Sequence, residues 1–272
     1  MSLEPCPSPM SKTLNLSARQ LVRRLGFLLC AVMAGVAPIA FAADIALLSG
    51  GAVEPGLKPA IASFESATGH RVRITFSPAP QIAARIDAGE PWDVVIAPTA
   101  VLDRFAMAAR IGPERVGIGR VGVGIAVRAD APLPEIGDAE SLRRSLASAD
   151  SVIFNRASTG ILVEGVLRRL DIASQVDAKA MRPADGASVM EQLLRGHGRE
   201  IGFGAITEIL LFRDRGIRYV GPLPPALQTF TVYAAALPAS GSRGDAARQL
   251  LEHLRQPATR AALADAGVDP AP

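Results

Sequence analysis

The sequence predicts an α/β fold in two lobes, each a mixed sheet flanked by helices, joined by two extended hinge crossings. Three observations carry this expectation. Short β-rich runs alternate with longer segments of helical periodicity. Turns of Gly, Ser, Ala and Pro separate strands from the helices that follow them. Two runs, 121–130 and 229–237, are extended and long enough to pass from one lobe to the other.

The elements follow in order. Residues 44–49 (DIALLS) form a strand ending at Gly50-Gly51. Residues 53–67 form a helix, because Leu57, Ile61 and Phe64 recur on one face, and Gly69 caps it. Residues 70–76 alternate as a strand, 82–89 form a short helix closed by Gly89, and 93–98 (DVVIAP) read as a buried strand. A helix through 100–110 completes the first unit. After the 121–130 crossing come a helix at 138–148, a strand at 151–155 and a helix from about 159 to 170. A strand at 178–182, a helix at 187–195 and a strand at 201–205 follow. Residues 217–224 and 229–237 are strands, and 243–255 and 257–267 are helices. The expected division is 43–122 with 237–272 as lobe 1, and 123–236 as lobe 2.

Residues 1–42 form a leader. Arg23-Arg24 precedes a sixteen-residue apolar run at 25–40, and Ala40-Phe41-Ala42 places small residues at the −3 and −1 positions of a signal-peptidase site. The run is shorter than the roughly 20 residues a membrane span needs. Cleavage near Ala42 and a periplasmic product are expected. Both cysteines, Cys6 and Cys30, lie in the leader, so thiol catalysis and Cys-based metal sites are excluded from the exported chain.

The leader also explains the charge. Of 29 Lys+Arg and 26 Asp+Glu in the whole chain, four basic and one acidic residue lie in 1–42, which leaves 25 of each beyond it. A neutral mature domain argues against nucleic acid as a partner. Only ten aromatic residues follow the leader, which disfavours a sugar ligand that stacks on rings. His70, His197 and His253 are too scattered for a metal site, and G-x-S-x-G, H-E-x-x-H and Walker patterns are missing. No metal and no cofactor are expected.

Candidate chemistry gathers at four strand-to-helix turns, where helix N-termini present free N–H groups to an anion. They contain Gly50, Gly51 and Ala52; Ser77 and Ala79; Ser158, Thr159 and Gly160; and Ser188 and Val189. Ser158 and Ser188 equally suit ordinary N-caps. Arg156 and Arg182 end strands beside these turns and are candidates to grip a carboxylate, although arginine outnumbers lysine 26 to 3 and most of it must be solvated surface. Asp185 and Glu208 fall near the same turns as candidate acid–base groups.

Several segments carry a resemblance. They are Phe64-Glu65-Ser66-Ala67-Thr68-Gly69-His70-Arg71-Val72, the run from Gln81 through Gly89 to Ile96, and STGILVEGVLRRLDI at 158–172. Over about 43–270 the chain resembles bacterial periplasmic solute-binding proteins of the molybdate-binding type. The resemblance implies a type II periplasmic-binding-protein fold, a small anion in the interlobe cleft and an ABC permease as partner. The family's serines align with Ala52 and with Ala79 or Pro80, and its tyrosine with Ala205, so the hydroxyl donors for molybdate are missing. The turns around Thr159 and Val189 keep only backbone donors. IGFGAITEIL (201–210), VGPLP (220–224) and Leu227-Gln228 resemble a divergent branch, the periplasmic aconitate isomerases. That branch implies a cofactor-free proton shift, with Glu208 or Asp185 as base. A non-enzymatic receptor for an organic acid or oxyanion is the first expectation, and the isomerase is the second.

Overall fold

A computed structural model describes residues 42–240 and 244–271. The expected leader and its cysteines lie outside the described residues, apart from Ala42. No described helix is long and apolar enough to cross a membrane.

The strands are β1 (Asp44–Ser49), β2 (Arg71–Phe76), β3 (Val94–Pro98), β4 (Ile111–Arg128), β5 (Val152–Ile153), β6 (Ala180–Met181), β7 (Ile201–Ala205), β8 (Ile217–Pro222) and β9 (Phe230–Pro238). They hydrogen-bond in the order β2-β1-β3-β9-β4-β7-β5-β6, with β8 also on β4. β1 is parallel to β2 and β3, and β5 is parallel to β6 and β7. β9 and β4 run antiparallel to their neighbours, which makes each half of the sheet mixed.

Alternating side chains give each half two buried faces, as strands between helical layers require. In β3, Val94 and Ile96 join Leu57, Phe64 and Leu250 on one side, while Val95 and Ala97 join Ile82, Leu102 and Phe105 on the other. In β4, Val123, Ile125 and Val127 pack with Leu142, Phe154 and Val163, and Ala126 packs with Met190 and Leu193. The first half's helices are α1 (Glu54–Thr68), α2 (Ala79–Asp87), α3 (Thr99–Met107), α9 (Asp245–Arg255) and α10 (Pro257–Asp265). The second half carries α4 (Ala139–Ser148), α5 (Ser158–Arg169), α6 (Ala173–Asp177), α7 (Gly186–Arg195) and α8 (Ile206–Leu210). Gly69 closes α1 with φ 73°.

Two features differ from expectation. β4 begins at Ile111, ten residues before the expected extended run, because Val116 and Ile118 already point into the core despite the glycines around them. β9 pairs with β4 from Phe230↔Gly122 to Pro238↔Ile111, so its whole length belongs to the first half. The return passage therefore lies at Gln228–Thr229, ahead of the 236/237 division drawn from the sequence. There the Val123 amide donates to the Thr229 carbonyl at 3.2 Å, and Gln228 Nε2 donates to the Val123 carbonyl at 3.2 Å.

The halves also meet through α8. The buried Thr207 hydroxyl donates to the Ala52 carbonyl at 2.6 Å, across 155 residues of sequence. Thr207→Val keeps the shape, removes the donor and leaves a buried carbonyl short of a partner. The substitution is expected to cost about 1–3 kcal/mol, visible as a lower urea midpoint at unchanged slope.

Candidate functional site

The four expected turns converge. A cavity of about 400 Å³ between the halves is lined by Gly50, Gly51, Ala52, Ser77, Ala79, Ser158, Thr159, Asp185 and Glu208, among others. The backbone holds the first two turns together. The Ser77 amide donates to the Ser49 carbonyl at 2.9 Å, and the Gly50 amide donates to the Ile96 carbonyl at 2.9 Å. At the third turn, Asn155 Oδ1 accepts from the amides of Ala157 and Gly160, both at 3.0 Å, which fixes the start of α5. At the fourth, the Asp185 carboxylate caps α7 by accepting from the Ser188 amide at 2.8 Å.

Glu208 sits between a turn of each half. A Cβ on Gly186 would overlap its Oε2 and lie 2.6 Å from its Cδ, and a Cβ on Gly51 would lie 3.1 Å from its Oε1. Glycine at both positions lets the carboxylate fit between turns of opposite halves. Burial, reinforced by the charge of Asp185, pushes the Glu208 carboxyl up to about 7, while a backbone hydrogen bond from Ala205 resists the shift. The group therefore exchanges its proton near neutral pH. Tyr233 stands next to it, buried, with Cε1 3.0 Å from where a Gly50 Cβ would be. Burial and then the Glu208 charge raise its phenol well above the ordinary tyrosine range, so it stays a neutral hydroxyl.

At the mouth, Leu211, Phe212 and Arg215 complete the lining. The Arg215 guanidinium lies 4.2 Å from the centre of the Phe212 ring and makes no ion pair among the described residues. It is the cavity's cation.

The other candidates lie elsewhere. Arg156 is exposed in the bend that follows β5 and does not line the cavity, whereas Asn155, one residue earlier, does. Arg182 pairs with Asp177 and Glu164, stacks 4.8 Å over Phe154, and borders a separate groove. Ser188 spends its amide on the Asp185 cap, Val189 is fully buried on the core face of α7, and the Gly160 amide is taken by Asn155 Oδ1. Glu54, Phe76, Asn155, Arg215 and Tyr233 line the cavity without having been singled out as sequence candidates. No cluster of three or more His, Cys, Asp or Glu able to hold a metal occurs among the described residues.

Folding gives Glu208 a proton that the unfolded chain would not hold between pH 4.5 and about 7. The stability this lends is full below 4.5 and is lost as pH rises through about 7. Glu208→Gln, neutral throughout, should gain on the wild type by about 2–3 kcal/mol from pH 5 to pH 8. Urea unfolding at both pH values measures this, and a difference that stays flat would place Glu208 in the ordinary carboxylate range.

Known proteins resemble this chain in sequence and in fold. An aconitate isomerase from Pseudomonas sp is 29% identical over 236 residues, spanning 84% of this chain and 88% of that protein. The periplasmic molybdate-binding protein of Azotobacter vinelandii superposes with a TM-score of 0.68 at 18% identity, over 82% of this chain and 97% of that one. The sulfate-binding protein of Mycobacterium tuberculosis H37Rv gives 0.69 at 17% identity, over 84% and 87%. At such identities the two solved structures establish the fold, which is the expected type II periplasmic-binding-protein fold. The family model of bacterial extracellular solute-binding proteins matches residues 45–269, and the chain belongs to that family.

Proposed function

We propose that this protein is a periplasmic receptor that captures a small organic acid between its two halves and delivers it to an ABC permease. The convergence of turns from both halves on one cavity carries the reading, because closure about Gly122–Val123 and Gln228–Thr229 would bring all of them onto one ligand. Helix N-termini and Arg215 supply the attraction for carboxylate. A tetrahedral oxyanion fits less well. Ala52 and Ala79 offer no hydroxyl, and Glu208, Asp185 and Glu54 would repel a bare dianion that had shed its water. A carboxylic acid can share a proton with Glu208, whose own affinity for one is matched to neutral pH.

Glu208 also favours a second reading, a cofactor-free isomerase of the aconitate type, in line with the 29% identical relative. In that chemistry the Glu208 carboxylate takes an allylic methylene proton as base. The C–H electron pair spreads over the allyl system, and the protonated carboxyl of Glu208 returns the proton to the far carbon, so the double bond shifts with no net loss. Tyr233 and the turn amides would steady the charge that develops.

Thermal unfolding with trans-aconitate, citrate, succinate, sulfate and molybdate tests the ligand class. An acid at about 100 times its Kd should add roughly 2.7 kcal/mol, whereas stabilisation by molybdate alone would overturn the carboxylate reading. A proton NMR time course with trans-aconitate in D2O separates receptor from enzyme. An unchanged spectrum fits the receptor, and growth of cis-aconitate establishes the isomerase, with protium in its methylene where Glu208 returns the proton it removed and deuterium where that proton first exchanges with solvent. Arg215→Ala should weaken acid binding about tenfold, while Arg156→Ala should leave it unchanged.

A further inference from the structure

A second chamber adjoins the first. It is an open groove of about 500 Å³ and shares Ala79, Pro98 and Ser158 with the cavity that holds Glu208. Its walls come from both halves: Ala83 and Val101 from α2 and α3 on one side, Ile161 and Leu162 from α5 on the other, with Phe230 of β9 between them. Its one charged residue, Arg104, is already occupied. The guanidinium donates to Asp87 at 3.0 Å and rests 4.6 Å from the centre of the Phe105 ring. The lining of the second chamber is therefore mostly apolar and holds no free charge of its own, although the Arg120 guanidinium lies 4.3 Å from the centre of the Phe230 ring.

Helix geometry links the two. Ser158 opens α5 in the first chamber, and Ile161 lies three residues on, one turn along the same face. Ile161 is 65% exposed, and it shares one apolar lining with Ala83, Val101, Leu162 and Phe230 from both halves rather than standing alone on the surface. Its position on the cleft wall, beside an anion cavity that opens into the same space, points to the ligand itself as the cover.

We infer that the natural ligand is an amphipathic carboxylic acid, with its carboxylate end in the Glu208 chamber and a branched-alkyl or aryl arm in the Ile161 chamber. This rests on the organic-acid reading and narrows it. A compact polycarboxylate would fill only the first chamber. An armed acid also places apolar surface against both halves, so closure would bury Ile161 and Phe230 together with the arm.

Isothermal titration calorimetry with the pair succinate and 2-benzylsuccinate tests this. Burying the arm is expected to tighten binding about 10- to 100-fold relative to succinate. Ile161→Asp, which puts a charge into the apolar chamber, should bring the ratio of the two affinities close to one. Ile161→Ala should lower it part of the way. Because the readout is a ratio within each variant, a general loss of stability does not mimic the result. Equal or weaker binding of 2-benzylsuccinate to the wild type overturns the inference while leaving the organic-acid reading standing. A ratio that survives Ile161→Asp also overturns it, since the arm then lies elsewhere. If neither acid binds, the organic-acid reading fails first and takes this one with it.

Discussion

The pairing of β4 with β9 is the constraint on which the rest of the structure depends. From Ile111↔Pro238 to Gly122↔Phe230 the two strands complete the first half of the sheet. At Val123, β4 changes neighbours and becomes the strand on which β7 and β8 are built. One eighteen-residue strand thus serves both halves. The other link lies beside it at Gln228–Thr229, and everything that lines the cavity is positioned by strands ordered outward from this seam. The apolar clusters of the halves are built from different residues of β4, and Ala205 of β7 joins the first of them.

The seam explains the electrostatics of the cavity floor. α8 follows β7 and projects from the second half until Thr207 reaches the Ala52 carbonyl. That contact delivers Glu208 between Gly51 and Gly186, where neither neighbour has a side chain to hold water against it. Desolvation is then the leading cause of its raised proton affinity, with the Asp185 charge second. Asp185 cannot turn away, because its carboxylate is engaged in capping α7. A structural cap and a buried acid thus share one small region, and the charge of the cap adds to the acid's raised proton affinity.

Much of the frame was legible in the sequence, and the reason is periodicity. Leu57, Ile61 and Phe64 on α1, and Ala247, Leu250, Leu251 and Leu254 on α9, mark their buried faces without outside help. The four turns were legible because glycine, serine and proline interrupt strong strand patterns. Single side chains at the ends of short strands were not. β5 has only two residues, Val152 and Ile153, too few to show which of Asn155 and Arg156 would face inward. α8 has five residues and no repeat, so Glu208 stood out as a nearby acid but not as a wedge between glycines. Arg215 ends a single 3₁₀ turn, and nothing local separates it from the other arginines. Its role comes from Phe212 beneath it and the absence of an ion-pair partner among the described residues, both of which are tertiary facts.

These features also separate what the scaffold supplies from what the side chains adapt. Backbone N–H groups at strand-to-helix turns come with the topology and attract any small anion, whatever the side chains nearby. Selectivity must come from what is laid over them. Here Ala52 and Ala79 stand at the first two turns beside Ser77, a buried glutamate with a raised proton affinity lines the cavity, and aliphatic side chains line the adjoining space. Each change costs a fully ionised oxyanion a partner or adds a repulsion. For the protonatable acid with an apolar arm inferred above, the same side chains would offer a proton-sharing partner and an apolar surface. Selectivity of this kind needs no departure from the shared fold, because it is written in side chains that the turns present and the core does not use.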